Sequence, residues 1–273
     1  MIKLVLSDLD GTLIDRFGNI KPKDIESVVK LHENHIVFGI VTGRDIGFCR
    51  HLLEKYDIYA DCIICNNGGS MWVHDKKLLE YHMEADEVID VMEKLRPFIG
   101  KCHPFICDEN RIFYLMKNAY PTNKDWKDIR ETLYYLGLLS EDDLITHLQE
   151  TKAPVVKISM YTIDIPTTQY LLPILKEMFP EYEVYPTADD YIELTKRGIH
   201  KGKTLHSLMD VLNLSQDEVC VVGDGHNDIP MLGCVDLSCV MNTADDEVKA
   251  HGKRVVESVS EVCDIVLANN EKA

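Results

Sequence analysis

Short apolar runs alternate with amphipathic stretches along the first third of the chain. Ile2–Leu6 is apolar except for Lys3 and is followed by Asp8, Asp10 and Gly11; it is too short for a helix and reads as a strand. Pro22–His32 carries apolar residues at 25, 28, 29 and 31 behind an early proline, the signature of one helical face. Ile36–Val41 predicts a second strand, Ile46–Tyr56 a second helix and Cys62–Cys65 a third strand. Continuous apolar strands separated by helices imply a doubly wound parallel sheet covered on both faces, an α/β architecture.

The last third repeats this style. Lys201–Leu212 reads as a helix, Val219–Val222 as a strand and Ile229–Leu232 as the start of another helix, with short strands at Val235–Val240 and Arg254–Val256. The middle differs. Glu84–Phe98, Asn123–Leu139 and Thr168–Met178 look helical, whereas Arg111–Lys117 and Val155–Ile163 alternate more, as in an antiparallel sheet with one exposed face. The expected organisation is a core built from residues 1–81 and 189–273, interrupted by an α+β insert over residues 82–188.

The 273 residues are 45% hydrophobic and 27% charged, enough apolar material for a real core. Charge narrows the choice of partners: 29 Lys and Arg against 46 Asp and Glu give −17, and the sequence pI is near 5.0. Such a chain repels polyanions, so nucleic acid and anionic membrane surfaces are disfavoured. No run approaches the roughly 20 apolar residues of a membrane span, and the N-terminus lacks the pattern of a secretory signal. The nine cysteines are scattered, several within apolar runs, and the Cys62/Cys65 C-x-x-C lacks the second pair a zinc site needs. Reduced thiols and a cytoplasmic location are therefore expected.

The candidate chemistry sits where strands end. Leu4–Leu6 runs into Ser7-Asp8-Leu9-Asp10-Gly11-Thr12, with carboxylates at i and i+2 directed to one side of an extended segment. By itself this could be an ordinary Asp- and Gly-rich turn. Val219–Val222, however, runs into Gly223-Asp224-Gly225-His226-Asn227-Asp228, again delivering carboxylates at a strand's carboxyl end. Hard oxygen donors from several strand ends suit Mg²⁺ sharing its shell with a substrate phosphate. An EF-hand is excluded, because Leu13 and Asn19 stand where its Gly and Glu belong. Val41-Thr42-Gly43-Arg44 puts a hydroxyl and a flexible Gly before a helix, whose first amides favour anions. Lys201 opens a helix between Gly198 and Gly202, an unfavourable place for a cation unless an anion lies nearby. Gly202-Lys203-Thr204 is not a P-loop, since Arg197 occupies the position of its first Gly.

These four elements, in this order, resemble the haloacid dehalogenase superfamily. The long insert resembles the type IIB cap of its Cof-like phosphatases, as do Asn67-Gly68-Gly69, Ile192-Glu193-Leu194-Thr195 and Asp224 to Leu232. The family segment Met-Gly-Asn-Ala appears here as Met241-Asn242-Thr243-Ala244. The resemblance implies a Rossmann-like core with an inserted cap that closes over the site, excludes water and reads the substrate. It implies a Mg²⁺-dependent phosphatase for small phosphorylated metabolites, such as a sugar phosphate or a phosphorylated cofactor. Asp8 would be the nucleophile and Asp10 the general acid and base. Asp8, the Asp10 main-chain carbonyl and Asp224 would bind the metal, with Asp228 as a ligand or as support for its shell. Thr42, the amides around Leu9 and Gly43, and Lys201 would hold the phosphoryl group, and Asn227 would contact phosphate or Lys201. The expected partner is a small phosphate ester, with the chain a monomer or a small homo-oligomer. A phosphomutase and a non-catalytic phospholigand-binding regulator are the competing readings. Arg44 reads as a structural ion-pair partner first and a catalytic group second, and His226, inside the metal motif, as merely exposed; His103, Arg111 and Tyr114 could reach substrate, but read first as residues of a solvated sheet face.

Overall fold

The alternation read from the apolar runs becomes a layered sheet in the computed structural model, which describes residues 1–15, 17–108, 113–116, 136–139, 141–152 and 154–272. Leu4–Ser7 (β1), Val37–Val41 (β2) and Cys62–Cys65 (β3) run parallel, as do Val219–Gly223 (β12), Leu237–Met241 (β13) and Arg254–Val256 (β14). The sheet order is β14-β13-β12-β1-β2-β3, extended by Ser70–Val73 (β4) and Lys76–Glu80 (β5). Strand β4 pairs antiparallel to β3, so the sheet is mixed at that edge.

Period-two alternation covers both faces of this sheet. Val5, Phe38, Ile40, Ile63, Cys220 and Val222 pack with Pro22–Glu33 (α1), Ile46–Tyr56 (α2) and the C-terminal helix Val259–Asn270. Leu4, Leu6, Cys62, Ile64, Val219 and Val221 face the other way, onto the helix Lys201–Leu212. Cys62 and Cys65 thus enter opposite core layers of the same strand, and they do not form a pair. Strand order reverses between the parallel neighbours β1 and β12: β2 continues on one side and β13 on the other. That switch point is where open α/β sheets place ligands beyond the strands' carboxyl ends.

The chain divides into two compact units, Met1–Leu79 with His200–Ala273, and Glu80–Ile199. The second boundary falls eleven residues beyond the expected 188, because Tyr182–Ala188 (β10) and Tyr191–Lys196 (β11) form a hairpin belonging to the inserted unit. Its sheet order is β10-β11-β9-β6-β7-β8, with β6 at Cys102–Asp108, β7 at Phe113–Met116, β8 at Leu136–Leu139 and β9 at Val155–Thr162. Pairing is antiparallel except between β7 and β8, which are parallel. Ala85–Leu95 (α3), Glu141–Thr151 (α4) and Ile165–Met178 (α5) accompany this sheet, and Val88, Val91, Leu148, Leu171 and Leu175 share a core with Ile106, Ile158, Ile192 and Leu194.

Two expectations for the insert need correction. Where a helix was expected over Asn123–Leu139, Leu136–Leu139 is a strand; residues 123–135 lie outside the described residues. The sheet face expected in solvent is buried: β9 is buried along its whole length, and His103 with it. On that face Lys157 Nζ lies 2.6 Å from Glu193 Oε1, and Ser159 Oγ donates to the same oxygen at 3.3 Å. Burial without pairing would be costly, so the exposed-face pattern here is a hydrogen-bonded interior. Arg111 and the side chain of Tyr114 lie outside the described residues.

Candidate active site

At the end of β1, the Asp8 amide donates to the Val222 carbonyl at 2.9 Å and fixes the turn beside β12. The Asp8 carboxylate is buried, and its Oδ1 lies 2.7 Å from the Lys201 ammonium. Lys201 is fully buried at the first position of its helix and also reaches Asp228 Oδ1 at 2.5 Å. The anion that its unfavourable position called for is therefore protein carboxylate. Close glycine packing makes this placement possible. A Cβ on Gly202 would stand 2.4 Å from the Pro230 carbonyl oxygen, and one on Gly68 2.5 Å from that of His200.

Asp228 is held from its other side, where Oδ2 accepts from the amides of Asp224 and Gly225 at 3.0 and 2.9 Å. Asp224 is oriented by Thr12, whose hydroxyl donates to Oδ1 at 2.7 Å. Gly11, at φ +85°, lets the chain pass so close that a Cβ would sit 2.2 Å from Asp224 Oδ2. One carboxylate oxygen each from Asp8, Asp224 and Asp228 lies within 4.8 Å of the others. Three carboxylates against one ammonium leave two negative charges to be balanced in a largely buried place. Burial pushes the Asp8 carboxyl well up; Lys201 opposes this, and Asp228 and Asp224 reinforce it. Burial and Asp228 likewise hold Asp224 up to about 6, against the Thr12 hydrogen bond. For Lys201 burial acts downward, but Asp228 and Asp8 outweigh it and keep the ammonium charged. A hard divalent cation fits this donor set and its charge.

Asp10 is half-exposed, and both its oxygens are taken by Arg44, Nε to Oδ2 at 2.9 Å and Nη2 to Oδ1 at 2.7 Å. Thr42 is buried, and its hydroxyl oxygen accepts from the Arg44 amide at 3.1 Å. Asn227 donates to Asn67 Oδ1 at 2.9 Å, where contact with Lys201 or phosphate had been expected. His226 stays on the surface, 3.3 Å from Glu247.

Two site residues escaped the sequence reading. Asn67 is buried at φ +55°, donates its amide to the Thr42 carbonyl, and fills the space a Cβ on Gly43 would need, 2.9 Å away. Its only sequence signal was its place in Asn67-Gly68-Gly69. Thr12 carried no signal beyond closing the first Asp motif. Asn242, the departure from the family segment, binds Glu257 through its side-chain amide and the Val256 carbonyl through its main chain, at the end of β13.

A model of the haloacid dehalogenase-like hydrolases matches residues 5–265. The chain belongs to this family. Relatives include a 5-amino-6-(5-phospho-D-ribitylamino)uracil phosphatase of Bacillus subtilis, 26% identical over 91% of this chain and 87% of its own length. A pyridoxal phosphate phosphatase of Escherichia coli is 25% identical, with 93% of each chain covered. Among solved structures, a HAD/COF-like hydrolase from Plasmodium vivax superposes with a TM-score of 0.83 at 22% identity, covering 98% of this chain and 96% of its own. A Thermotoga maritima protein gives 0.79 at 23%, with 97% of each chain covered. The Rossmann-like α/β core with an α+β insert is therefore the haloacid dehalogenase architecture. Among the described residues, no helix is long and apolar enough to cross a membrane.

Proposed function

We propose that this hydrolase is a Mg²⁺-dependent phosphatase of small phosphorylated metabolites that forms an aspartyl-phosphate on Asp8. The observation that carries the reading is the buried Asp8–Lys201–Asp228 cluster, with Asp224 beside it, at the sheet's switch point. Asp8 attacks phosphorus, and the bond to the leaving oxygen breaks as Asp10 delivers a proton to that oxygen. Asp10 then takes a proton from water as the water attacks the phosphoryl group, and the Asp8–phosphorus bond breaks to release orthophosphate. Thr42, Lys201 and the main-chain amides around Leu9 and Gly43 hold the phosphoryl oxygens, with Asn227 beside them.

Asp8, Asp224 and the Asp10 main-chain carbonyl would hold Mg²⁺. Asp228, as a ligand or as support for the metal's shell, would also fix Lys201 through Oδ1 and the Asp224 and Gly225 amides through Oδ2. When bound, the ion supplies charge neutralisation between the nucleophile and the anionic substrate. The inserted unit, residues 80–199, would select the organic part of the substrate.

A phosphoester panel including sugar phosphates, pyridoxal phosphate and a phosphorylated ribitylaminouracil, run with and without Mg²⁺, tests the reading. Release of orthophosphate by wild type and its loss in Asp8→Asn is the expected result. Isomerised sugar phosphate without free phosphate would identify a mutase, and Mg²⁺-independent inactivity across the panel would favour a binding protein.

A further inference from the structure

Arg44 stands apart from the residues assigned above, because the sequence reading gave it a structural part and the geometry gives it a specific one. Its backbone is fixed on both sides: the amide donates to the Thr42 hydroxyl at 3.1 Å, and the carbonyl accepts from the Asn66 amide at 2.9 Å. Asp45 follows immediately and caps helix α2 through the amides of Gly47 and Phe48 at 2.7 and 3.1 Å. The guanidinium lies over the Phe48 ring, 4.6 Å from its centroid, which restricts the plane of its donors. Two of those donors meet the two oxygens of Asp10, across 34 residues of sequence.

A forked guanidinium on both oxygens fixes the plane of a carboxylate as well as its place, which a single point charge cannot do. Asp10 needs this help. It is half-exposed and follows the end of a strand, whereas Asp8, Asp224 and Asp228 are held by buried partners. An ordinary surface ion pair would contribute little to stability. The effect of this one is on direction.

We propose that Arg44 is a positioning residue for Asp10, aiming its carboxyl at the leaving-group oxygen. The inference rests on the phosphatase reading. In the first half-reaction the proton passes from Asp10 to the ester oxygen as that oxygen takes the electron pair of the breaking P–O bond. An ester whose leaving group departs without a proton bypasses this step. Loss of Arg44 must therefore weigh on alkyl phosphates and spare aryl phosphates with acidic phenols, such as p-nitrophenyl phosphate.

The test is kcat/KM, which reports events up to leaving-group departure, for both ester types in wild type, Arg44→Lys, Arg44→Gln and Asp10→Asn. General acid catalysis contributes about 10²–10⁴-fold. The ratio of alkyl to aryl kcat/KM should fall about tenfold or more in Arg44→Gln, less in Arg44→Lys, and most in Asp10→Asn. Arg44→Gln added to Asp10→Asn should lower the ratio no further, since the two act as one unit. Thermal unfolding of each variant checks its fold. Equal losses for both ester types would make Arg44 a phosphoryl or structural contact and overturn the proposal, as would no loss for either. Turnover of neither ester by wild type, or undiminished turnover by Asp8→Asn, would overturn the phosphatase reading itself and this proposal with it.

Discussion

The Lys201 ammonium lies 2.7 Å from Asp8 and 2.5 Å from Asp228, fully buried, joining residues 193 and 27 positions away in sequence. Removing it strands two buried carboxylates. Breaking a buried pair from one side costs about 3–5 kcal/mol, because the remaining charge is desolvated and uncompensated. Lys201→Met should lower the unfolding free energy in urea by about that amount. A change below about 1 kcal/mol would mean that water or a cation already serves the carboxylates.

Metal binding and protonation should compete at Asp224. Its folded pKa, held up near 6 by burial, lies above the unfolded value, so without metal the native state binds the extra proton. The apo protein therefore loses stability from this group as pH rises through that window. Mg²⁺ needs the carboxylate, so the rise in Tm on adding Mg²⁺ should shrink as pH falls through about 6. At a Mg²⁺ concentration one hundred times Kd the full effect corresponds to about 2.7 kcal/mol. Thermal melts with and without Mg²⁺ across this range provide the check.

How much of this was legible beforehand depended on range. The boundaries of Ile46–Tyr56, Cys62–Cys65 and Lys201–Leu212 were readable to the residue, because Asp45, Asp61 and His200 punctuate runs of clear periodicity. Asp8, Asp10, Asp224 and Lys201 were readable because they end strands or open a helix. Asn67 was not, since its part depends on a left-handed backbone and a hydrogen bond to Asn227 across 160 residues. The Thr12–Asp224 bond, across 212 residues, was hidden for the same reason. In the insert, Lys157, Ser159 and Glu193 resemble the outer face of a sheet; only their mutual pairing allows them to be buried.

Gly11 and Gly18 form a matched pair of probes. Both have positive φ, +85° and +75°, so alanine at either costs about 1–2 kcal/mol in backbone strain. A Cβ at Gly18 meets nothing within 4 Å, whereas one at Gly11 would displace Asp224. Gly18→Ala should lose stability alone. Gly11→Ala should also lose the Mg²⁺-dependent rise in Tm and the turnover that depends on it.

The eight cysteines with described side chains are all buried, and burial pushes the Cys102 and Cys263 thiols up to about 12. At those two the thiolate, the reactive form, is suppressed. Cys49, Cys62, Cys65, Cys102, Cys220, Cys234, Cys239 and Cys263 should react with Ellman's reagent only on unfolding. Fast modification of any of them in the native protein, located by peptide mapping, would contradict their placement.

In the proposed mechanism Asp8 carries the phosphoryl group. Wild-type protein mixed with a panel substrate and Mg²⁺, quenched in acid during turnover and digested, should yield a phosphorylated peptide with the adduct on Asp8. Asp8→Asn should yield neither adduct nor orthophosphate. Steady turnover by wild type with Asp8 unmodified, or comparable turnover by Asp8→Asn, would contradict the account.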